Sequence, residues 1–313
     1  MKAASGKIAV IGAGNVGATS AYALMLRGLF ANIVLVDIDG KRAHAEALDI
    51  GDANAMARPA RIRSGTFQDT VDADIVVLTA GAATHGDESR ISVAGRSAAI
   101  VTQCVEQIME TGFSGLILVA CNPVDVMTEI ARRASGLSAE RVIGTGTLLD
   151  SSRFRRRLAD QLDVAPGSVE AFVLGEHGDS EVAAYSTVRI GGLPMENFPG
   201  ADAIDHAELA REVARAGYEI IDGKGYTSYG VATAVVRICE AIRRDERVVL
   251  PVSVRATGQY GIDGLYLSLP SIIGGSGVLK ILSPALAAGE EEALRASAGV
   301  LRKTLTNLHP TGK

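Results

Sequence analysis

"KIAVIGAGNVG", residues 7–17, decides the fold. Its first half, 7–12, is a short apolar run of the kind that forms a strand buried on both faces. Its second half places Gly12, Gly14 and Gly17 in the pattern G-x-G-x-x-G, and a helical pattern follows over about 15–29. Glycine-rich turns are common. A strand, such a turn and a helix in that order are the context in which the pattern marks a dinucleotide site. Gly12 allows the tight turn, Gly14 lets a pyrophosphate approach the backbone, and Gly17 lets the helix pack on the sheet. Asn15 and Val16 open the helix, whose N-terminal N–H groups suit a phosphate.

Working outward, "NIVLVD" (32–37), "DIVVLT" (74–79) and "GLILVA" (115–120) are further buried strands. Helical patterns lie between them at about 40–56, 91–111 and 124–135. Alternation of this kind predicts an α/β fold with a doubly wound parallel sheet, a Rossmann domain. Such sheets bind ligands beyond the carboxyl ends of their strands. Asp37 ends the second strand twenty positions after Gly17. A carboxylate there accepts hydrogen bonds from a ribose 2′-hydroxyl and repels a 2′-phosphate, which selects NAD over NADP. Ala80 and Gly81, after the strand at 74–79, fall on the same rim and join the expected cofactor site.

The pattern changes near residue 145. "VEAFVLG" (169–175) and "VAAYSTVRIGGLP" (182–194) read as antiparallel strands with a glycine-rich turn, followed by helices at about 203–221 and 227–243. "RVVLPVSVRA" (247–256) and "GLYLSLPSII" (264–273) read as two more strands, and a last helix spans about 289–307. The reading is a cofactor domain over 1–145 and an α+β substrate domain over 146–313, closely packed with a cleft between them.

Composition excludes some classes. The 313 residues are 47% apolar and 21% charged, with a formal net charge of −5 and no tryptophan. No basic stripe with interleaved aromatics is present, which argues against a nucleic-acid partner. No apolar run approaches the ~18 residues of a membrane span. Cys104, Cys121 and Cys239 lack metal-ligand spacing, and the N-terminal apolar run is too short for a secretion signal. The expectation is reduced thiols in a cytoplasmic protein with no metal site.

Five stretches carry candidate chemistry: "TAGAATHGDESR" (79–90), "CNPVD" (121–125), "GTGTLLDSSRFR" (144–155), "LGEHGDS" (174–180) and "GKGYTSYG" (223–230). Asp150 and Arg153 stand at i, i+3, on one face of a helix. Together with "GAGNVG", these motifs resemble, in order and from residue 7 to the C-terminus, the L-lactate/malate dehydrogenase family. The resemblance implies hydride transfer between a nicotinamide and a 2-oxo or 2-hydroxy acid. It implies His177 as the acid–base group, Asp150 as its carboxylate partner and Arg90 as the loop arginine that polarises the reacting carbonyl. Arg153 matches the clamp on the substrate carboxylate, Asn122 the asparagine near nicotinamide and substrate, and Thr227 a pocket-wall residue. Hydride addition leaves negative charge on oxygen, so a nearby imidazole with a carboxylate neighbour is suited to supply the proton. Glu176 and Asp179, chain neighbours of His177, are expected to point away from it. Arg155, Arg156 and Arg157 have no evident role and are expected in solvent.

Thr84 stands where lactate enzymes of the family usually carry glutamine and malate enzymes arginine. It offers no cation to a second carboxylate, and an unpaired buried charge costs several kcal/mol. That disfavours oxaloacetate, although His85 can supply charge at low pH. Ala216 and Gly217 align with a pocket-wall position and leave room beyond the methyl of pyruvate. The motifs also resemble L-2-hydroxyisocaproate dehydrogenase. The expectation is an L-lactate dehydrogenase-like enzyme with a broadened 2-oxo acid range, forming a homo-oligomer, either tetramer or dimer. L-2-Hydroxyisocaproate dehydrogenase is the alternative and malate dehydrogenase a lesser one. Arg155 matches one of two residues typical of fructose 1,6-bisphosphate-activated relatives. Glu170 replaces the other, a histidine, which opposes that activation. Two remoter readings are an NAD(H) redox sensor, disfavoured by the intact His177, Asp150, Arg90 and Arg153 set, and an NAD- and metal-dependent glycosidase, for which no ligand cluster is evident.

Overall fold

Six parallel strands form the larger part of the sheet: β1 (Lys7–Ile11), β2 (Asn32–Val36), β3 (Arg61–Ser64), β4 (Ile75–Leu78), β5 (Leu116–Val119) and β6 (Val142–Gly144). This computed structural model describes residues 5–82 and 90–308; of Arg90 and Ile91 only the backbone is described. The strand order is 3-2-1-4-5-6, with parallel register such as Ile8↔Ile33 and Ile8↔Ile75 on the two sides of β1. Ile33 through Val36 and all of β4 are buried, as runs of Val, Ile and Leu covered on both faces must be.

Helices α1 (Asn15–Arg27) and α2 (Gly40–Asn54) carry the chain from β1 toward β3; α3 (Arg90–Glu110) and α4 (Val124–Ser135) carry it from β4 toward β6. Right-handed crossovers that travel in opposite directions from the centre lie on opposite faces of the sheet. The chain reverses direction between β1 and β4, so the carboxyl ends of these strands open a crevice there.

The C-terminal half begins with α5 (Leu148–Leu162) and short strands β7 (Val169–Glu170), β8 (Val173–Leu174), β9 (Val182–Ala183), β10 (Arg189–Ile190) and β11 (Leu193–Pro194). It continues with α6 (His206–Lys224), α7 (Tyr229–Arg243), β12 (Val248–Thr257), β13 (Asp263–Gly274), β14 (Gly277–Ile281) and α8 (Ala288–Leu308). Strand β12 pairs antiparallel with β6 at Ser253↔Gly144, and β13 and β14 follow it. One nine-stranded sheet therefore runs through both halves. A second core, including Phe154, Leu158, Val188, Ile190, Leu209 and Val213, fills the space among α5, α6 and the small sheet β11-β10-β7. Among the described residues, no helix is long and apolar enough to cross a membrane.

Several elements differ from the sequence reading. Strands β3, β6 and β14 went unpredicted. β3 is an edge strand with arginines at positions 61 and 63, and β6 is three residues long. "VEAFVLG" breaks into β7 and β8 because the first pairs with β10 and the second with β9. "VAAYSTVRIGGLP" likewise divides into β9, a helical turn over Tyr185–Thr187, and the hairpin β10–β11. Of the three arginines expected in solvent, only Arg156 is there. Arg155 is half-buried and donates from Nε to the Ala171 carbonyl at 3.2 Å, and Arg157 pairs with Glu212 on α6.

Candidate active site

The glycine loop packs as its spacing requires. Gly12 has φ +101, and a Cβ there would lie 2.8 Å from Ala80 N; one on Gly17 would lie 1.8 Å from the Gly12 carbonyl oxygen. At Gly14, by contrast, a Cβ would meet nothing within 4 Å. Gly14 is the N-cap of α1, and no side chain caps the first turn there, over Asn15, Val16 and Gly17. An open cradle at an uncapped helix N-terminus suits an anionic pyrophosphate. Thr79 supports this loop, donating from Oγ1 to the Gly12 carbonyl at 2.9 Å. It leads into Ala80 and Gly81. The Asp37 carboxylate accepts the Ala13 N–H at 2.6 Å and the Asp39 N–H at 2.9 Å, which ties the acid at the end of β2 to the loop after β1. An open, uncapped loop beside a strand-end carboxylate is compatible with an NAD molecule: the loop would hold its phosphates and Asp37 its ribose.

Next to this rim stands an ion network. Asp150 lies in the first turn of α5 with 3% of its side chain exposed. Its Oδ2 lies 2.6 Å from His177 Nδ1 and its Oδ1 accepts from Arg153 Nη1 at 2.8 Å. A carboxylate only accepts, so Nδ1 carries the hydrogen and Nε2 is the atom left to meet a substrate. Nε2 makes no hydrogen bond among the described residues, and the side chain is 27% exposed.

The backbone of the His177 loop is pinned from three sides. Gly175 (φ +90) exchanges two hydrogen bonds with Ser268 of β13, and a Cβ there would sit 2.7 Å from Ser297 Oγ. Glu176 N–H donates to Ser297 Oγ on α8 at 2.9 Å. His177 N–H donates to Asp125 Oδ2 on α4 at 2.8 Å. Both neighbouring carboxylates are occupied elsewhere: Glu176 accepts from Ser180, and Asp179 from Tyr218 at 2.8 Å.

Burial alone would lower the imidazole pKa. Asp150, by charge and hydrogen bond, and then the charges of Asp125 and Glu181 act against it more strongly, and the pKa is raised to about 9. For Asp150, burial works toward the neutral acid but His177 and Arg153 outweigh it and hold the carboxylate below its usual range. Glu181 was not singled out from the sequence. Burial, then the charge of Asp150, push its pKa up to about 8. Asp150, His177 and Glu181 have ligand atoms within 4.8 Å of one another, close enough for a metal ion. Arg153, however, already shares the Asp150 carboxylate, and a guanidinium there favours an anion over a cation.

The remaining expected residues are placed less closely. Asn122 is exposed, just past the end of β5, and Thr227 is half-buried just before α7. Gly230 packs on Leu149, beside Asp150, which brings the start of α7 to that of α5. Arg90 is the first residue of α3. Thr84 and His85 lie outside the described residues. Asp125 was quoted within "CNPVD" without a role; only the fold reveals what it touches.

A Rossmann sheet with an open glycine loop, together with a histidine–carboxylate pair in the C-terminal half, has the features of an NAD-dependent oxidoreductase. Residues 6–144 match the lactate/malate dehydrogenase NAD-binding domain, and residues 147–310 the alpha/beta C-terminal domain of the same family. The chain belongs to the lactate/malate dehydrogenase family. It is 42% identical over 306 residues to an L-lactate dehydrogenase of Clostridium perfringens, covering 96% of each chain. The structure of the minor L-lactate dehydrogenase of Enterococcus mundtii superposes with a TM-score of 0.93 at 39% identity, over 96% of this chain and 98% of that one. A malate dehydrogenase of Salinibacter ruber superposes with a TM-score of 0.89 at 33% identity, over 97% and 98%. The backbone is thus common to enzymes of both acids, and side chains must decide between them.

Proposed function

We propose that the chain interconverts pyruvate and L-lactate, with acceptance of larger 2-oxo acids. The observation that carries this is the Asp150 carboxylate held between His177 Nδ1 at 2.6 Å and Arg153 Nη1 at 2.8 Å. NAD supplies the hydride acceptor and NADH the donor when bound. The Arg153 guanidinium clamps the substrate carboxylate with a planar fork. His177 Nε2–H protonates the carbonyl oxygen during reduction and takes the proton back during oxidation. Asp150 fixes the ring and its tautomer. Arg90, carried at the start of α3, stabilises the charge that develops on that oxygen. Asn122 and Thr227 border the pocket.

The absence of a cation at Thr84 supports pyruvate over oxaloacetate. The small residues Ala216 and Gly217, at a pocket-wall position of the family, support the broader range and, as a second reading, an L-2-hydroxyisocaproate dehydrogenase. A panel of pyruvate, 2-oxobutyrate, 2-oxoisocaproate and oxaloacetate, each with NADH and NADPH, tests the assignment. Pyruvate or a longer monocarboxylate with NADH is expected to give the highest kcat/KM. Oxaloacetate at the top would overturn it. Thr84→Arg is expected to raise oxaloacetate turnover.

The raised imidazole pKa sets the pH dependence. Reduction needs the protonated ring, so its rate holds through neutral pH and falls as pH rises through about 9; oxidation needs the neutral ring and rises across the same window. Initial rates in both directions from pH 6 to 10 check this, and parallel profiles would count against His177 as the shared proton carrier.

The cytoplasm and a homo-oligomeric state, dimer or tetramer, follow from the same family reading. Exposed Tyr218, Ile220 and Ile221 on α6 support an interface. Glu170 is exposed on β7, near the half-buried Arg155, and supports insensitivity to fructose 1,6-bisphosphate.

A further inference from the structure

We propose that Asp125 is a positioning residue for the acid–base imidazole, anchoring the His177 backbone and placing a second buried negative charge behind the ring. Asp125 sits in the first turn of α4 and is 2% exposed. One oxygen, Oδ2, accepts the His177 backbone N–H at 2.8 Å; the other, Oδ1, accepts the Ser253 hydroxyl at 2.5 Å. The carboxylate thus joins three elements distant in sequence: α4, which follows Asn122 on the cofactor rim, the buried middle of β12, and the His177 loop. Ser253 is also the residue through which β12 joins β6, so the anchor rests on the rigid centre of the sheet.

A structural hydrogen bond to a loop backbone could be made by a neutral acceptor. A buried carboxylate is a costly choice unless its charge has a use. Burial raises the pKa of Asp125 to about 6, against the Ser253 and His177 hydrogen bonds and the His177 charge, so it is ionised at neutral pH. The charged groups acting on His177 are Asp150 from α5, Asp125 from α4 and Glu181 from its own loop; Arg153 shares the Asp150 carboxylate, and Glu176 and Asp179 are engaged by Ser180 and Tyr218. Of these, Asp125 is the carboxylate bonded to the His177 backbone, so it affects both where the ring stands and how tightly it holds its proton.

The inference rests on the proposed acid–base role of His177, and Asp125→Asn and Asp125→Ala separate its two parts. Asparagine keeps an acceptor for His177 N–H and can donate to Ser253 Oγ, but carries no charge. Turnover of pyruvate, its KM, the NADH Kd from fluorescence and the pH profile are measured on the purified 313-residue chain. Asp125→Ala is expected to lower kcat by about tenfold or more, with pyruvate KM and NADH Kd within about threefold. Asp125→Asn is expected to recover much of that loss while moving the alkaline limb of pyruvate reduction down by roughly half a pH unit or more. An unmoved limb in Asp125→Asn overturns the proposal, as does a loss of kcat in Asp125→Ala matched by an equal loss of NADH affinity. If Asp125→Ala fails to fold, the limb in Asp125→Asn decides alone. A wild-type chain inactive on every 2-oxo acid would sink the proposed function instead. An active wild type with unaffected variants sinks only this inference.

Discussion

Replacing His177 with asparagine lowers turnover in both directions by about 10²- to 10⁴-fold, the usual worth of a general acid–base group. NADH affinity should hardly change, because the residues that fit the cofactor, from Gly12 to Asp37, share no hydrogen bond with His177. Asparagine is close in size and can still donate to Asp150, so the loop is retained while the transferable proton is lost. Stopped-flow hydride transfer and NADH fluorescence titration give the two quantities separately. Turnover within tenfold of wild type would show that water or another group supplies the proton. A parallel loss of NADH binding would show that the substitution had disturbed the rim. Glu176 and Asp179 do not replace the ring, because Ser180 and Tyr218 engage them; Glu181, beside the pair, is the carboxylate that a residual rate would point to.

Arg153→Lys reduces kcat/KM for pyruvate by about 10- to 150-fold, the equivalent of a charge-assisted contact of roughly 1.5–3 kcal/mol. The substitution preserves a positive charge beside Asp150, so the pH profile set by the Asp150–His177 pair should stay in place. What disappears is the planar fork, which an ammonium cannot reproduce. The loss should therefore fall more heavily on pyruvate KM than on the alkaline limb. An unchanged KM would place the substrate carboxylate elsewhere on the rim, and a displaced limb would mean that Arg153 acts chiefly through Asp150. The 2.8 Å bond between Arg153 and Asp150 makes these alternatives distinguishable only when both quantities are measured.

Much of this site is visible in short motifs because its requirements are local. The glycine loop needs small residues at fixed intervals. Asp150 and Arg153 share a helix, so three residues of spacing place both on one face. The short strands of the C-terminal half were less legible. Two-residue strands such as β7 and β8 have no periodicity of their own, and their ends are set by which partner strand each meets. Arg157 looked like one of several surface cations until α6 brought Glu212 to it.

By itself, the sequence determined the doubly wound parallel sheet, the glycine cradle, the acid at Asp37 and the types of residue that handle a proton and a carboxylate. The sheet, the cradle and the acid follow from period and spacing within stretches of a few dozen residues, whereas the proton and carboxylate roles came from the resemblance of the ordered motifs to a known family. The pairing of Asp150 with His177 across 27 positions was implied only by the resemblance of the motifs to a known family, while the tertiary structure alone revealed that Asp125 holds the His177 backbone from 52 positions away and that Glu181 lies beside the pair. The physical reason is that hydrogen bonds and charges act over a few ångströms in space. No local pattern records which distant residues the sheet and helices bring within that range.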